Sequence, residues 1–323
     1  MKILHLLASP GFTGPAETVA QLALAQRALG HEVTVAVDRK RTKLSSEEPI
    51  VPRFEAWQLL DTRGLELSVK STPWAMTKDV LTLRNAGVDV IHSHFSHDHT
   101  LARFGHRDAR LIRSIHAPRS LRWATPQADG YTIPMEGLGR KLLGRKVLIL
   151  PAMVGPEFKP ATQTRQANTK HIGMVSSFQA SRRHQLGLTA FKSLPVDKHH
   201  LTLIGDGPLD ADLRREAAPL GAAVTFTGYQ SGPAFIEHLQ RLDEVWILGL
   251  GNDWSARAAA QARACDVRVI AVDEGDLARY ADAVVEPTVE SIVAASQTNT
   301  RRTMTLESPA SVAQRVLAFY ERC

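Results

Sequence analysis

Short apolar runs rich in β-branched residues alternate with amphipathic helical segments along this sequence, and that alternation leaves few folds open. A strand, a helix and a further parallel strand need a right-handed crossover, so a long series of such units builds parallel sheets with helices on both faces, the doubly wound α/β class. Residues 2–8 read as a strand, 11–14 as a turn, and 16–29 as an amphipathic helix closed by Gly30. Strands follow at 31–37, 88–92, 111–114 and 147–150. The rhythm then repeats, with strands at 171–175, 201–204, 224–227, 244–248 and 267–272 and helices at 186–193, 210–220 and 256–264.

The chain has 323 residues, enough for two α/β domains of about 150 residues each. Pro151, Gly155, Pro156 and Pro160, followed by Thr162-Gln163-Thr164-Arg165-Gln166, have the composition of a linker. The expected division is a first domain over 1–155, a second over 165–310, and a last helix over 311–323 with apolar positions Val312, Val316, Leu317 and Tyr320 at helical spacing.

Two cysteines, Cys265 and Cys323, make no disulfide framework, and no C-x-x-C pattern suggests structural zinc or redox chemistry. No apolar run nears the roughly 20 residues of a membrane span, and the first strand, broken by His5, reads as buried structure rather than a signal peptide. These features lead us to expect a cytoplasmic protein with reduced thiols.

The net charge of +6 is uneven: residues 1–160 hold 22 Lys and Arg against 15 Asp and Glu, the remainder 17 against 18. Basic clusters attract anionic lipid surfaces, nucleic acid or phosphorylated substrates, or are simply a solvated face. No aromatic-basic interleaving points to nucleic acid. The inner face of the cytoplasmic membrane is the surface such a basic half would meet.

Five segments could carry chemistry. Gly11-Phe12-Thr13-Gly14-Pro15-Ala16-Glu17 lies between a strand and a helix, where Gly14 and Glu17 could meet an acceptor sugar or a phosphate, or form an ordinary turn. The nicotinamide fingerprint G-x-G-x-x-G is absent there. His92, His94 and His116 fall at or just beyond strand ends, where histidine can bind phosphate or a hydroxyl. With His97, Asp98 and His99 nearby a zinc reading is open, as is a purely structural one. Arg182 and Arg183 lead into a helix and suit a diphosphate, or solvent. Gly205-Asp206-Gly207-Pro208 is a turn that can bring backbone near a ligand. Asp253 or Ser255 could cap the helix that follows, leaving amides for an anion, with Gln261 eight residues beyond Asp253.

The order of these segments resembles retaining glycosyltransferases of the GT-B fold, family 4 (glycosyltransferase group 1), over almost the whole chain. Asp89-Val90-Ile91-His92-Ser93-His94 is similar to the family's D-V-I-H-x-H strand, and Ser114-Ile115-His116 to its T-x-H strand end. The stretch from Leu203 to Pro208 followed by Val224–Gly228, and Gln261-Ala262-Arg263-Ala264-Cys265-Asp266-Val267-Arg268-Val269-Ile270-Ala271, are also family-like. The resemblance implies two Rossmann-like domains facing across a cleft, with the final helix returning to the first. It implies transfer of a sugar from a nucleoside diphosphate sugar to a glycan or lipid-linked hydroxyl, as in cell-envelope polysaccharide or lipopolysaccharide assembly, with no metal and no further cofactor.

Carried over by residue, His116 and Asp253 would be catalytic. Arg182, Arg183, Ser255, Ala256 and Arg257 would hold the diphosphate. Gly205, Asp206, Gly207, Pro208 and Gln261 would flank base and ribose. Gly14, Glu17 and His94 would meet the acceptor. The chain departs from the pattern in several places. Asp253 and Gln261 stand for the two acids of E-x7-E, and Trp254-Ser255-Ala256 for a Gly-rich loop. Ser176-Ser177-Phe178 stands for G-R-L, and Asp266 and Arg268 for a Gly and a Pro. Such a donor site is either specialised or has lost activity, and a degenerate protein that binds sugar nucleotide or glycan is the alternative reading.

Overall fold

The computed structural model describes residues 1–41, 48–121, 127–162, 168–251 and 254–323. They divide into two compact units, residues 1–153 with 307–323, and residues 154–306.

The first unit is a parallel six-stranded sheet built from β1 (Lys2–Leu7), β2 (Glu32–Val37), β3 (Val90–Ser93), β4 (Arg110–Ser114), β5 (Gly130–Ile133) and β6 (Val147–Ile149), in the order β2-β1-β3-β4-β5-β6. Its helices are α1 (Gly14–Ala28), α2 (Ile50–Ala56), α3 (Pro73–Arg84), α4 (Ser96–Gly105) and the single turn α5 (Glu136–Gly139). Pro15 in the first turn presets a helical φ for α1, and Gly30 at φ 88° ends it. The buried stripe Val19, Leu22, Ala23 and Gln26 faces the sheet together with the last helix of the chain, while Leu83, Leu101 and Ala102 of α3 and α4 cover the opposite face.

The second unit repeats the design with β7 (Lys170–Val175), β8 (His199–Ile204), β9 (Val224–Gly228), β10 (Glu244–Ile247), β11 (Arg268–Val272) and β12 (Ala283–Val285), in the order β12-β11-β10-β7-β8-β9. Its helices are α6 (His184–Lys192), α7 (Asp210–Ala217), α8 (Gly232–Gln240), α9 (Arg257–Ala264), α10 (Leu277–Tyr280) and α11 (Val289–Ser296). The sequence expectation of a helix to residue 220 is shortened to Ala217, because Pro219 removes an amide and the chain tightens into a 3-10 turn.

The final helix, α12 (Pro309–Arg322), belongs to the first unit. Ser308 caps it, its hydroxyl accepting from the Ser311 amide at 3.1 Å. Val312, Val316, Phe319 and Tyr320 are buried against α1 and the sheet. Strands β5 and β12 and helices α2, α3, α4, α8 and α11 were not separate elements in the sequence reading, being short or weakly patterned.

In each sheet the strand order reverses beside the first strand, between β1 and β3 in one unit and between β7 and β10 in the other. Loops leaving the carboxyl ends of two such strands diverge to opposite faces and open a crevice for ligands.

Candidate functional site

At the switch point of the first unit, the loop after β1 is held by Phe12, whose amide donates to Glu48 O at 2.7 Å, and by Pro10, whose carbonyl accepts from Ile50 N at 3.0 Å. Gly14 is the first residue of α1, and Glu17 lies in its first turn. The Asp98 carboxylate, wholly buried, accepts from the amides of Ala8 (3.0 Å) and Phe95 (2.8 Å), tying the loop to the start of α4. Burial pushes Asp98 up to about 7.

Beside that loop four imidazoles gather. The register of β1 on β3 sets His5 opposite His92. His94, just past β3, extends the ladder through its amide to Leu6 O at 3.1 Å. The rings of His92 and His94 stack at 4.4 Å between centroids, and His94 and half-buried His116 at 5.7 Å. His5 bonds to Gln26 Oε1 at 2.8 Å and to His94 Nε2 at 3.0 Å, and His92 bonds to the Tyr320 hydroxyl at 2.7 Å and Ser114 Oγ at 2.8 Å. Desolvation lowers all four: His5 and His116 to about 4, His92 and His94 well below 6.5, the last two also repelled by neighbouring rings. At neutral pH they are uncharged. They therefore offer hydrogen bonds rather than a cation.

The zinc reading changes membership. His5, distant from the others along the chain, joins His92 and His94, their nitrogens all within 4.8 Å of one another. His99 instead bonds Ser93 Oγ at 2.9 Å, and Asp98 holds backbone. Both nitrogens of His5 and His92 already have partners, so a metal would have to displace Gln26, Ser114 or Tyr320. Gln26, a polar residue on the buried stripe of α1, was the visible signal that something polar lay beneath it.

In the second unit the loops after β7, β8 and β10 carry the other expected residues. The Gly205–Pro208 turn packs closely on the chain's own backbone. Gly205 and Gly207 have φ 146° and 152°, and a Cβ on either would collide with Ser176 O at 2.1 Å or the Phe178 backbone at 2.8 Å. The turn is welded to residues 176–178, with Phe178 N donating to Asp206 O at 2.7 Å and Leu209 N to Phe178 O at 3.0 Å. Ser176 also bonds buried His184, whose ring stands edge-on to Phe178.

Arg182 ends a 3-10 turn, and Arg183 follows in the left-handed region at φ 55°, its guanidinium reaching Leu248 O at 3.4 Å. Ala256 is left-handed too, at φ 47°. Each of these two residues precedes a helix, α6 and α9, and neither helix has a side-chain cap. The expected cap at Ser255 is therefore replaced by a backbone-only start at Ala256. Ser255 and Arg257 are half-buried beside it, and Gln261 is buried on the second turn of α9. Asp253 lies outside the described residues.

Residues 12–147 match the sequence profile of Glycosyltransferase Family 4. That match lies within the first unit. The likeness to solved structures extends over both units. The Anabaena protein HepE, crystallised with UDP and glucose, is 15% identical, with 100% of this chain and 98% of that one covered at a TM-score of 0.70. Sucrose-phosphate synthase from Thermosynechococcus elongatus is 15% identical over 99% and 95%, at 0.68. The lipopolysaccharide outer core galactosyltransferase WaaB, in apo form, is 13% identical over 99% and 96%, at 0.64. The fold is thus GT-B. No curated protein matches the chain in sequence.

Within that fold two departures from the family pattern have structural explanations. Asp266 takes φ 59°, the conformation a glycine would adopt, and Arg301 holds both its carboxylate and its carbonyl at 2.8 Å. Arg268 pairs with buried Glu244, which also binds Lys170 at 2.9 Å, Trp246 Nε1 at 2.6 Å and Ser296 Oγ at 2.7 Å. Lys170, Glu244 and Arg268 begin β7, β10 and β11, the sheet end opposite to the ligand loops. Asp266 and Arg268 both lie at the end of the sheet opposite to the loops that leave the strands' carboxyl ends.

Proposed function

We propose that the protein transfers a sugar, with retention, from a nucleoside diphosphate sugar to the hydroxyl of a glycan or lipid-linked acceptor, without a metal. The observation that carries this reading is the pairing of Arg182 and Arg183 with the left-handed starts of α6 and α9 on the adjacent strands β7 and β10. Helix amides and guanidinium groups there would take the negative charge that grows on the diphosphate as the anomeric C–O bond breaks. The bond's electron pair leaves with the diphosphate, the anomeric carbon passes through oxocarbenium character, and the acceptor oxygen bonds to it on the same face while its proton passes to the departing diphosphate oxygen. Gln261 would hold ribose hydroxyls through a neutral amide. The neutral imidazoles of the first unit would meet sugar hydroxyls.

A lipid-linked acceptor finds support on the surface of the first unit. Phe104 (63% exposed) and Leu81 (51%) stand on α4 and α3 among Lys78, Arg84, Arg103 and Arg107, and Trp74 (79%) lies one turn before Lys78 on α3. Aromatic side chains among cations suit the interface of an anionic membrane. No helix of the described residues is long and apolar enough to cross one, and we read the protein as cytoplasmic and peripheral.

The degenerate alternative is favoured by Gln261, whose amide replaces a carboxylate at a buried position. A panel of nucleoside diphosphate sugars, beginning with UDP-glucose, separates the two by release of free nucleoside diphosphate. Release that falls sharply in Arg182→Ala and His116→Ala supports transfer. Thermal stabilisation by a donor with no release in the presence of candidate acceptors supports the binding module. Neither effect from any donor overturns both.

A further inference from the structure

We propose that Gln26 sets the direction of a buried imidazole relay that ends in a bare nitrogen on His94, and that this end of the first unit recognises an alcohol hydroxyl rather than an anion. The identity of that hydroxyl as a sugar's rests on the transferase reading. The direction of the relay does not.

The direction follows from counting protons. Gln26 Nε2 carries only hydrogens and donates to the Tyr320 hydroxyl at 3.1 Å, so Gln26 Oε1 faces His5 Nε2 at 2.8 Å and that nitrogen must hold a proton. His5 is uncharged at neutral pH because it is buried, leaving its Nδ1 bare to accept from His94 Nε2 at 3.0 Å. His94 is uncharged for the same reason, so its own Nδ1 is bare. That atom is buried and has no partner among the described residues.

A second branch has the same polarity. The Tyr320 hydroxyl, accepting from Gln26, gives its one proton to His92 Nδ1 at 2.7 Å. His92 Nε2 then donates to Ser114 Oγ at 2.8 Å, and Ser114 to Thr132 Oγ1 at 2.7 Å. Turned over, the Gln26 amide would reverse both branches, so one side chain decides which proton each ring carries.

The stacked neighbour of His94 is His116, whose Nε2 is likewise buried without a partner among the described residues. Two unpartnered nitrogens on adjacent neutral rings suit a group that can both donate and accept, which a hydroxyl does. An ionised phosphate or carboxylate oxygen has no proton for His94 Nδ1, and uncharged rings give it no compensating charge.

Histidine-selective 15N NMR on the full chain tests both halves. The expected spectrum has His94 protonated at Nε2 and bare at Nδ1 before any ligand is added. Tyr320→Phe, nearly isosteric, should release the His92 tautomer, and Gln26→Leu should release those of both His92 and His94. A wild-type His94 protonated at Nδ1, or a His92 tautomer indifferent to Tyr320→Phe, overturns the relay, and neither result depends on Gln26→Leu folding. Glucose and UDP-glucose should then move the bare Nδ1 resonance upfield, while sulfate and acetate, which carry no proton at neutral pH, should not. Movement with sulfate or acetate, or none with either sugar probe, overturns the recognition half whether or not the protein turns over a donor.

Discussion

Arg183 and Ala256 hold the same left-handed backbone conformation, at φ 55° and 47°, on the loops that leave neighbouring strands β7 and β10. Side chains other than glycine pay about 1–2 kcal/mol for that state, and such strain concentrates where ligands are bound. Glycine at 256 takes the state freely but loses more entropy on folding. We therefore expect Ala256→Gly to change stability by less than about 1 kcal/mol and to keep activity. Ala256→Val, β-branched, should cost about 1–2 kcal/mol and depress donor turnover. Urea unfolding and nucleoside diphosphate release read the two effects separately.

The proposed transfer places Arg182 on the diphosphate. A hydrogen bond to a charged group contributes about 1.5–3 kcal/mol, so Arg182→Ala should lower kcat/KM for the donor by roughly ten- to a hundredfold at unchanged thermal stability. A loss of activity matched by a loss of fold would refute the assignment.

Glu244 compensates Arg268 and Lys170 at the other end of the same sheet. Breaking a buried pair costs about 3–5 kcal/mol because a charge is left alone. Glu244→Gln should fall in that range by denaturant titration, while the KM for donor of the remaining folded protein stays within about twofold of wild type, since no ligand loop is touched.

Acid should destabilise the protein from pH 6.5 downward. The folded state holds His5, His116 and His184 down to about 4, and His92 and His94 well below 6.5. Between those values the unfolded chain binds protons that the folded chain refuses, so stability present above pH 6.5 drains away toward pH 4, at up to about 1.4 kcal/mol per pH unit for each ring. Asp98, raised to about 7, acts with the opposite sign over the same interval but is one group against five. Melting temperatures across pH 4–7 should therefore rise with pH. A flat or falling profile would contradict the buried neutral rings.

The patch around Trp74 and Phe104 makes a separate claim. Co-sedimentation with vesicles rich in anionic lipid should exceed that with neutral vesicles and weaken with salt. It should fall in Trp74→Ala/Phe104→Ala without loss of secondary structure. Equal binding to neutral vesicles, or none, would remove the membrane from the proposal.

Periodicity made the two sheets legible, because Lys2–Leu7, Glu32–Val37 and Lys170–Val175 are apolar runs followed by helical patterns. It could not show that His5 lies beside His92, since that neighbourhood is a matter of strand register. Nor could it bring Tyr320 to the same place across 228 residues. Gly205 and Gly207 were recognised as special, but the reason is contact with the chain's own residues 176–178. The changes at Asp266 and Arg268 looked like erosion of a ligand site because sequence adjacency to α9 hides which end of a strand a residue occupies. Three-dimensional placement assigns them to the opposite end.

The first unit is discontinuous in the chain, with α12 arriving only after the whole second unit. On the ribosome, residues 1–153 emerge with the apolar stripe of α1 uncovered and with Gln26 and His92 lacking Tyr320. The imidazole relay can be completed only after residues 154–306 have been made. A stalled or prematurely terminated product would thus display a sticky, half-assembled first unit, an obvious target for chaperones and proteases, and would have no finished site with which to act on sugars.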